Sequence, residues 1–463
     1  MATLKNWNEQ ITFEVPEERF REPSDFAEVQ AIVRQAFEQG QKVTVVGALH
    51  STTECIVGSG IVISTAKMDQ VLDINVANER VTVQAGVTLR QLCDALKRAR
   101  LQPPVVLEFG NFQIGAISGT HANDTAITRG AQFSSFVVGM KLVTPTGDIL
   151  EISETENSER LPLARSHFGL LGVVCEVTLQ VFKNEPLRIT TRSQEIEHFL
   201  EHFEQELAEL KATQDQVFGM LFPHTGKLLW ECRKFVAPDP DGFLPPDRWD
   251  DVVQQKGIYL FKDVLLPLVK AGTASAASGA LAELISRAVI ELPMGLFRHG
   301  SYVIDPCDRG IVYQKHDPDF DFYDWPFSEA NWCAMVRALL ELAARFRRER
   351  DFALPLPVLI YFIPRDEASL LSRARGADML AVDPTYPDPG DPDWHTFRRA
   401  FNEIAAQHGG IPHINKTQDG AIHHFAAACD QDALRTYLEA RKQLDPKDLF
   451  LNDFFRTMFA GRP

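Results

Sequence analysis

Along roughly the first 180 residues, short β-type apolar runs alternate with stretches whose apolar positions recur every three to four residues. Phe26, Val29, Val33, Ala36 and Phe37 fit one helix face, with Ser24 placed to cap it. KVTVV (42–46) follows as a strand, and IVISTAKM (61–68) and RVTVQAG (80–86) read as two more. Thr88 and Gln91 form a capping box ahead of Leu89, Leu92, Cys93 and Leu96. FVVGMKLVTPTGDILEIS (136–153) predicts a hairpin turning at 145–147, and VCEVTLQV (174–181) a closing strand.

Between about 185 and 380 the pattern changes to long helices, such as 332–350, and isolated strands, such as VLIYFI (358–363). DPTYPDPGDPDW (383–394) reads as a Pro/Asp-rich loop and a boundary. Phe397, Ala400, Phe401, Ile404 and Ala405 then form a helical stripe stopped by Gly409 and Gly410, and a last helix covers 432–443.

A length of 463 residues implies two or three domains, and 45% hydrophobic with 24% charged residues implies a folded globular chain. The net charge of −16, without a long basic run, argues against nucleic acid as a partner. The seven cysteines are scattered with no CxxC pair, which argues against a disulfide framework or a structural zinc site. The histidines at 408, 413, 423 and 424 lack a recurring ligand spacing, so no metal is expected. The apolar stretch 257–292 is interrupted by Lys262, Asp263, Lys270 and Glu283 and reads as buried helices, with no membrane span. MATLKNWNEQ has no apolar signal core, so a cytoplasmic location is expected.

GxGxxG, GxxxxGK[ST] and GxSxG are all absent, which removes the usual dinucleotide loop, the P-loop and the hydrolase elbow. Three glycine-containing turns remain: VVGALHS (45–51), FGNFQIGAISGTH (109–121) and FGLLGVV (168–174). Each lets backbone N–H groups approach a ligand, and together they can cradle an extended phosphate-bearing cofactor.

With these turns, Asn6 and Trp7, VTVQAGVTLRQL (81–92), LGVVCEVTLQV (171–181), PHINK (412–416) and LDPKDLFLN (444–452) make the chain resemble the vanillyl-alcohol-oxidase type of flavoprotein, in its aldonolactone and alditol oxidase branch. The resemblance implies an α+β fold: an FAD-binding domain over 1–184, an inserted substrate domain over 185–390 on an antiparallel sheet with helices, and a C-terminal segment, 391–463, that completes the FAD domain and active site. It implies an enzyme that passes a hydride from a substrate carbinol to the flavin, with molecular oxygen or another acceptor reoxidising it. A sugar lactone or alditol oxidase, an oxidative cyclase or dehydrogenase, and a flavin-carrying protein without polyol chemistry stand as alternatives.

The resemblance also assigns residues. His50 matches a histidine that many relatives bond covalently to the flavin 8α-methyl. Gly47, Ala48 and Ser51, with Leu49 between them, would hold the pyrophosphate. Gly115, Ser118, Gly119 and Thr120 would run beside the flavin, with His121 shaping that turn. Gly169, Gly172 and Val174 would meet the adenosine part. Lys416 and His413 would reach the active site. The resemblance does not assign the group that accepts the hydroxyl proton; Tyr302, Tyr361 and His413 stand as open candidates.

Three positions depart from the branch. Relatives carry glycine where Leu49 stands, and leucine enters positive φ at a cost. Their H-W-G-K is here His413, Ile414, Asn415 and Lys416. The glutamate and arginine that grip hydroxyls in relatives align with Ile360 and Phe362, which would make an apolar substrate wall and a less polar substrate.

Overall fold

A computed structural model describes residues 1–237, 261–274, 278–291, 301–310, 312 and 319–460. The N-terminal unit holds two sheets. Strands Phe20–Arg21, Ile61–Ser64 and Val43–Val46 form a parallel sheet. Helix Phe26–Gln39 covers it by burying Val29, Val33 and Ala36 against Val43, Ile61 and Ile63. Asp25, and not Ser24, caps this helix; its carboxylate accepts from Glu28 N–H at 2.9 Å, while the Ser24 hydroxyl reaches the Glu28 side chain. The second sheet is antiparallel, in the order Ile149–Ser153, Val137–Val143, Val173–Gln180, Arg80–Gln84, Val71–Asn75. The Thr88–Gln91 capping box is present and starts helix Leu89–Arg98.

An eight-stranded antiparallel sheet fills the inserted part of the chain. Its centre is Lys227–Phe235, Gln216–Phe222, Val358–Ile363 and Met379–Tyr386. Helices Glu329–Arg350 and Pro392–Gln407 cover one face, where Trp332, Leu339, Trp394 and Phe397 pack with Val358, Ile360 and Phe362. The other face looks towards the N-terminal unit. The helix Pro392–Gln407 therefore belongs by packing to the large sheet, and the chain returns to the first unit only after Gly410. There Ile414, Phe425, Tyr437 and Phe455 share a core with Val46, Ile56 and Phe168.

Two expectations need correction. Residues 383–386 are not loop: they end strand Met379–Tyr386, held by pairing of Pro384 with Val358 and of Tyr386 with Asp321. The apolar stretch 257–292, where described, is helical, but Val264, Leu268, Leu281 and Leu284 are exposed; its residues 257–260, 275–277 and 292 lie outside the described residues. Among the described residues no helix is long and apolar enough to cross a membrane.

Candidate active site

Strand Val43–Val46 delivers the chain to Gly47, where a side chain would crowd the second turn: a Cβ would lie 3.2 Å from both Ala116 Cβ and Gln113 Oε1. Two residues on, Leu49 adopts φ +56. The left-handed conformation that suits glycine is thus retained, and leucine bears a cost of about 1 kcal/mol for it. Trp7 N–H donates to the Leu49 carbonyl at 3.0 Å, and Asn6 Nδ2 donates to the Ser51 carbonyl at 3.0 Å, so the N-terminus fixes the turn.

The turn aims His50 into an aromatic box. Trp7 stacks on it at 6.2 Å, Phe109 lies at 5.3 Å and Phe112 meets it edge-on at 4.8 Å. Its Nδ1 is buried without a hydrogen-bond partner. Burial pushes the imidazole pKa down to about 4, so the ring is neutral near pH 7 and keeps a lone pair on nitrogen.

The PHINK segment grips the turn from the other end of the chain. Thr52 N–H donates to the Asn415 carbonyl at 2.8 Å, and the Thr53 hydroxyl donates to the Ile414 carbonyl at 2.8 Å. Asn415 Nδ2 reaches Ser51 Oγ at 3.1 Å. His413 is committed at both ring nitrogens: Nδ1 accepts from Asn415 N–H at 3.1 Å, and Nε2–H then donates to the His121 carbonyl at 3.0 Å. His413 borders the cavity but has no nitrogen left for a proton; it positions Asn415 and Lys416.

One cleft collects Gly47, Ser51, Gly115 and Thr120 together with Gly169, Gly172 and Val174. Gly169 and Gly172 have φ of +74 and +127, and a Cβ on Gly172 would collide with the Val143 carbonyl. Ser118 and Gly119 do not face this cleft. The Ser118 hydroxyl donates to the Gly115 carbonyl at 2.8 Å, and the space beside Gly119 is filled by the His167 ring. His121 is tied by Nε2–H to the Leu371 carbonyl at 2.8 Å and so shapes the turn. His167 was not singled out from sequence, yet it joins two turns: its Nε2 donates to the Gly115 carbonyl at 3.0 Å and its Nδ1 accepts from Gly169 N–H at 3.0 Å.

The cleft runs on through Gly47, Ser51 and Thr120 into a second cavity, which Ala48, Leu49, His50 and His121 also border. Its apolar lining is Leu107, Phe109, Phe112, Phe218, Phe322 and Leu359. Glu108, Asp124, Tyr361, Asp383 and Lys416 line it as well. The Lys416 ammonium sits 4.9 Å from the Phe322 ring and 3.5 Å from Asp383 Oδ2. Asp383 also accepts from Tyr323 N–H at 2.6 Å and from the Tyr361 hydroxyl at 3.1 Å. Burial, against the pull of Lys416 and with added repulsion from Asp324, raises the Asp383 carboxyl to about 7.

The expected substrate wall of Ile360 and Phe362 is corrected here. Side chains alternate across a strand, and both residues point to the helix-covered face, where they are 1% and 2% exposed. Leu359 and Tyr361 are the cavity-facing residues of that strand. Tyr302 lies on the edge strand Ser301–Ile304, paired with Ile189. Sequence reading also missed Glu108 and Asp383. Their signal is a lone carboxylate in or at the end of an apolar run, VVLEF and MLAVD, since a carboxylate is seldom set among apolar residues without a purpose.

The orphaned Nδ1 of His50, the cleft lined by Gly47, Gly115, Gly169 and Gly172, and the second cavity joined to it fit an extended flavin dinucleotide. Comparison with known proteins agrees. Residues 18–153 match the FAD binding domain family, and residues 177–458 match the D-arabinono-1,4-lactone oxidase family. This is an FAD-dependent oxidoreductase, and the chain belongs to the D-arabinono-1,4-lactone oxidase family. It is 25% identical to the L-gulonolactone oxidase of Mus musculus over 460 residues, 98% of each chain. It is 25% identical to the L-gulono-1,4-lactone dehydrogenase of Mycobacterium tuberculosis over 443 residues, 95% of each. Over 270 residues it is 32% identical to the mitochondrial L-galactono-1,4-lactone dehydrogenase of Brassica oleracea, which covers 57% of this chain and 41% of that one. In fold it resembles the crystal structure of cholesterol oxidase from B. sterolicum, with TM-score 0.79 and 16% identity, covering 99% of this chain and 96% of that one.

Proposed function

We propose that the enzyme oxidises a carbinol carbon on a small hydroxylated ring, of the aldonolactone class, with FAD tethered through His50. The carrying observation is the set of polar groups a ligand can reach in the cavity that holds His50: the Lys416 ammonium, held in place by Asp383, and the Glu108 carboxylate. Hydroxyl recognition needs such groups, because a buried donor or acceptor left unpaired rejects the wrong ligand. The names of the full-length relatives support a lactone. Ile360 and Phe362 turn away from the cavity and so form no apolar wall against a substrate.

Bound FAD supplies the hydride acceptor. Gly47, Ser51, Gly115, Thr120, Gly169, Gly172 and Val174 would hold its dinucleotide part, and Ala48 and Leu49 would carry the chain to the flavin end. The neutral His50 ring, fixed by three aromatic neighbours, is competent as a nucleophile towards the flavin methyl. The Lys416 cation would favour negative charge that develops during the reaction, and the phenyl walls exclude water from it.

A second reading, a substrate with an aromatic or alicyclic portion, rests on the wall of Leu107, Phe109, Phe112, Phe218, Phe322 and Leu359. A turnover panel separates the two. L-gulono-1,4-lactone, D-arabinono-1,4-lactone, xylitol and sorbitol are assayed beside benzyl and terpenoid alcohols, with peroxide formation and dye reduction followed in parallel to identify the electron acceptor. Turnover of the lactones is expected. Turnover of the apolar alcohols alone would overturn the lactone reading and support the second.

A further inference from the structure

We propose that Glu108 is the catalytic base that accepts the proton of the substrate hydroxyl during oxidation; this rests on the carbinol chemistry proposed above. Glu108 lies between Leu107 and Phe109, which are 3% and 7% exposed, yet its own side chain is open. The opening faces the cavity that also holds His50 and Lys416. Among the described residues no hydrogen bond or ion pair engages its carboxylate, so its lone pairs are available to a ligand.

The other titratable groups of the cavity are spoken for. Asp383 has no exposed surface and accepts from Tyr323, Tyr361 and Lys416. Asp124 is paired with Arg233 at 3.2 Å and with Arg309 at 3.0 Å. His413 has both nitrogens engaged, and His121 is 1% exposed. The Tyr361 hydroxyl donates to Asp383. His50 is directed at the flavin. Glu108 is the carboxylate left that a substrate can touch.

Its surroundings suit the task. Enclosure by the cavity walls raises the Glu108 carboxyl above the usual range, and Asp124 adds to this. Lys416, Arg309 and Arg233 oppose the rise and favour the carboxylate needed for proton acceptance. In the step, the carbinol O–H bond breaks and its proton goes to a Glu108 oxygen. The carbinol C–H bond breaks and leaves as hydride to oxidised FAD, and a C=O bond forms. The substrate loses two electrons, the flavin gains them, and one proton is stored on Glu108.

The test compares wild-type holoenzyme with Glu108→Gln and Glu108→Ala, using L-gulono-1,4-lactone, or benzyl alcohol if only apolar alcohols turn over. Wild-type kcat should fall at acid pH as Glu108 protonates. Glu108→Gln should lose about a hundredfold or more in kcat with little change in KM, and should lose that acid limb. Added formate should restore part of the activity of Glu108→Ala, which a merely structural role would not allow. Independently of turnover, the infrared difference between wild type and Glu108→Gln should show a carboxyl C=O band that titrates above the ordinary glutamate range, matching the acid limb. If the wild type oxidises the probe and Glu108→Gln does so within twofold with its acid limb intact, the assignment to Glu108 is wrong. If Glu108→Ala gains nothing from formate, it is equally wrong. A wild type inert to both probes would overturn the carbinol reading and this base together, whereas inertness to the lactone alone would overturn only the lactone reading.

Discussion

Asn415 Nδ2 donates to Ser51 Oγ at 3.1 Å, joining residues 364 positions apart at the point where the two cavities meet. The same amide reaches Cys55 Sγ, and the backbones on either side are cross-linked by Thr52 and Thr53. The first turn is therefore a product of both ends of the chain.

That contact can be removed by itself. Asn415→Ala deletes the donor and leaves the Ser51 hydroxyl short of a partner, a loss of about 1–3 kcal/mol. Purified Asn415→Ala should carry less FAD per chain than wild type and melt at a lower temperature. Full FAD content with an unchanged melting curve would show that the turn holds itself.

The Asp383 carboxyl supplies a pH signature. Its folded pKa of about 7 lies above the unfolded value of about 3.9, so the folded state prefers it protonated. Its contribution to stability is complete in acid below the unfolded pKa and is lost as pH rises through 7. Asp383→Asn fixes the neutral form. The melting temperature of the variant minus that of wild type should therefore climb between pH 4.5 and 8. A difference that stays flat or declines would refute the raised pKa.

Leu49 tests the backbone of the turn. At φ +56 a β-branched residue is worse than a linear one. Leu49→Val keeps more apolar volume than Leu49→Ala but adds this clash. Thermal melting should rank Leu49→Val below Leu49→Ala, by about 1 kcal/mol. The reverse ranking would show that packing of the side chain, and not φ, limits this position.

The local elements were largely legible in the sequence because their signals are short-range. The 3.6-residue stripe of 26–37, the Thr88–Gln91 capping box and the VLIYFI strand each follow from neighbouring residues. The glycine turns could be found for the same reason. What stayed hidden depends on long-range pairing. The face that Ile360 presents is set by strand register against Gly219 and by the helices behind it, and an alignment by residue type places the gripping pair without knowing that face. Asp383 was lost in a Pro/Asp-rich stretch whose first four residues are strand because Val358 and Asp321 pair with them. Ser118 and Gly119 fell short of the cleft because His167, nearly 50 residues later, fills the space beside them.

The claim on which the site rests is that the first turn delivers His50 to a flavin. Freshly purified wild-type protein and His50→Ala are precipitated in acid, and the yellow colour is followed by absorbance. Colour is expected in the wild-type pellet and, for His50→Ala, in the supernatant. Wild-type colour wholly in the supernatant would contradict the tether, and a colourless wild type would contradict the flavin site itself.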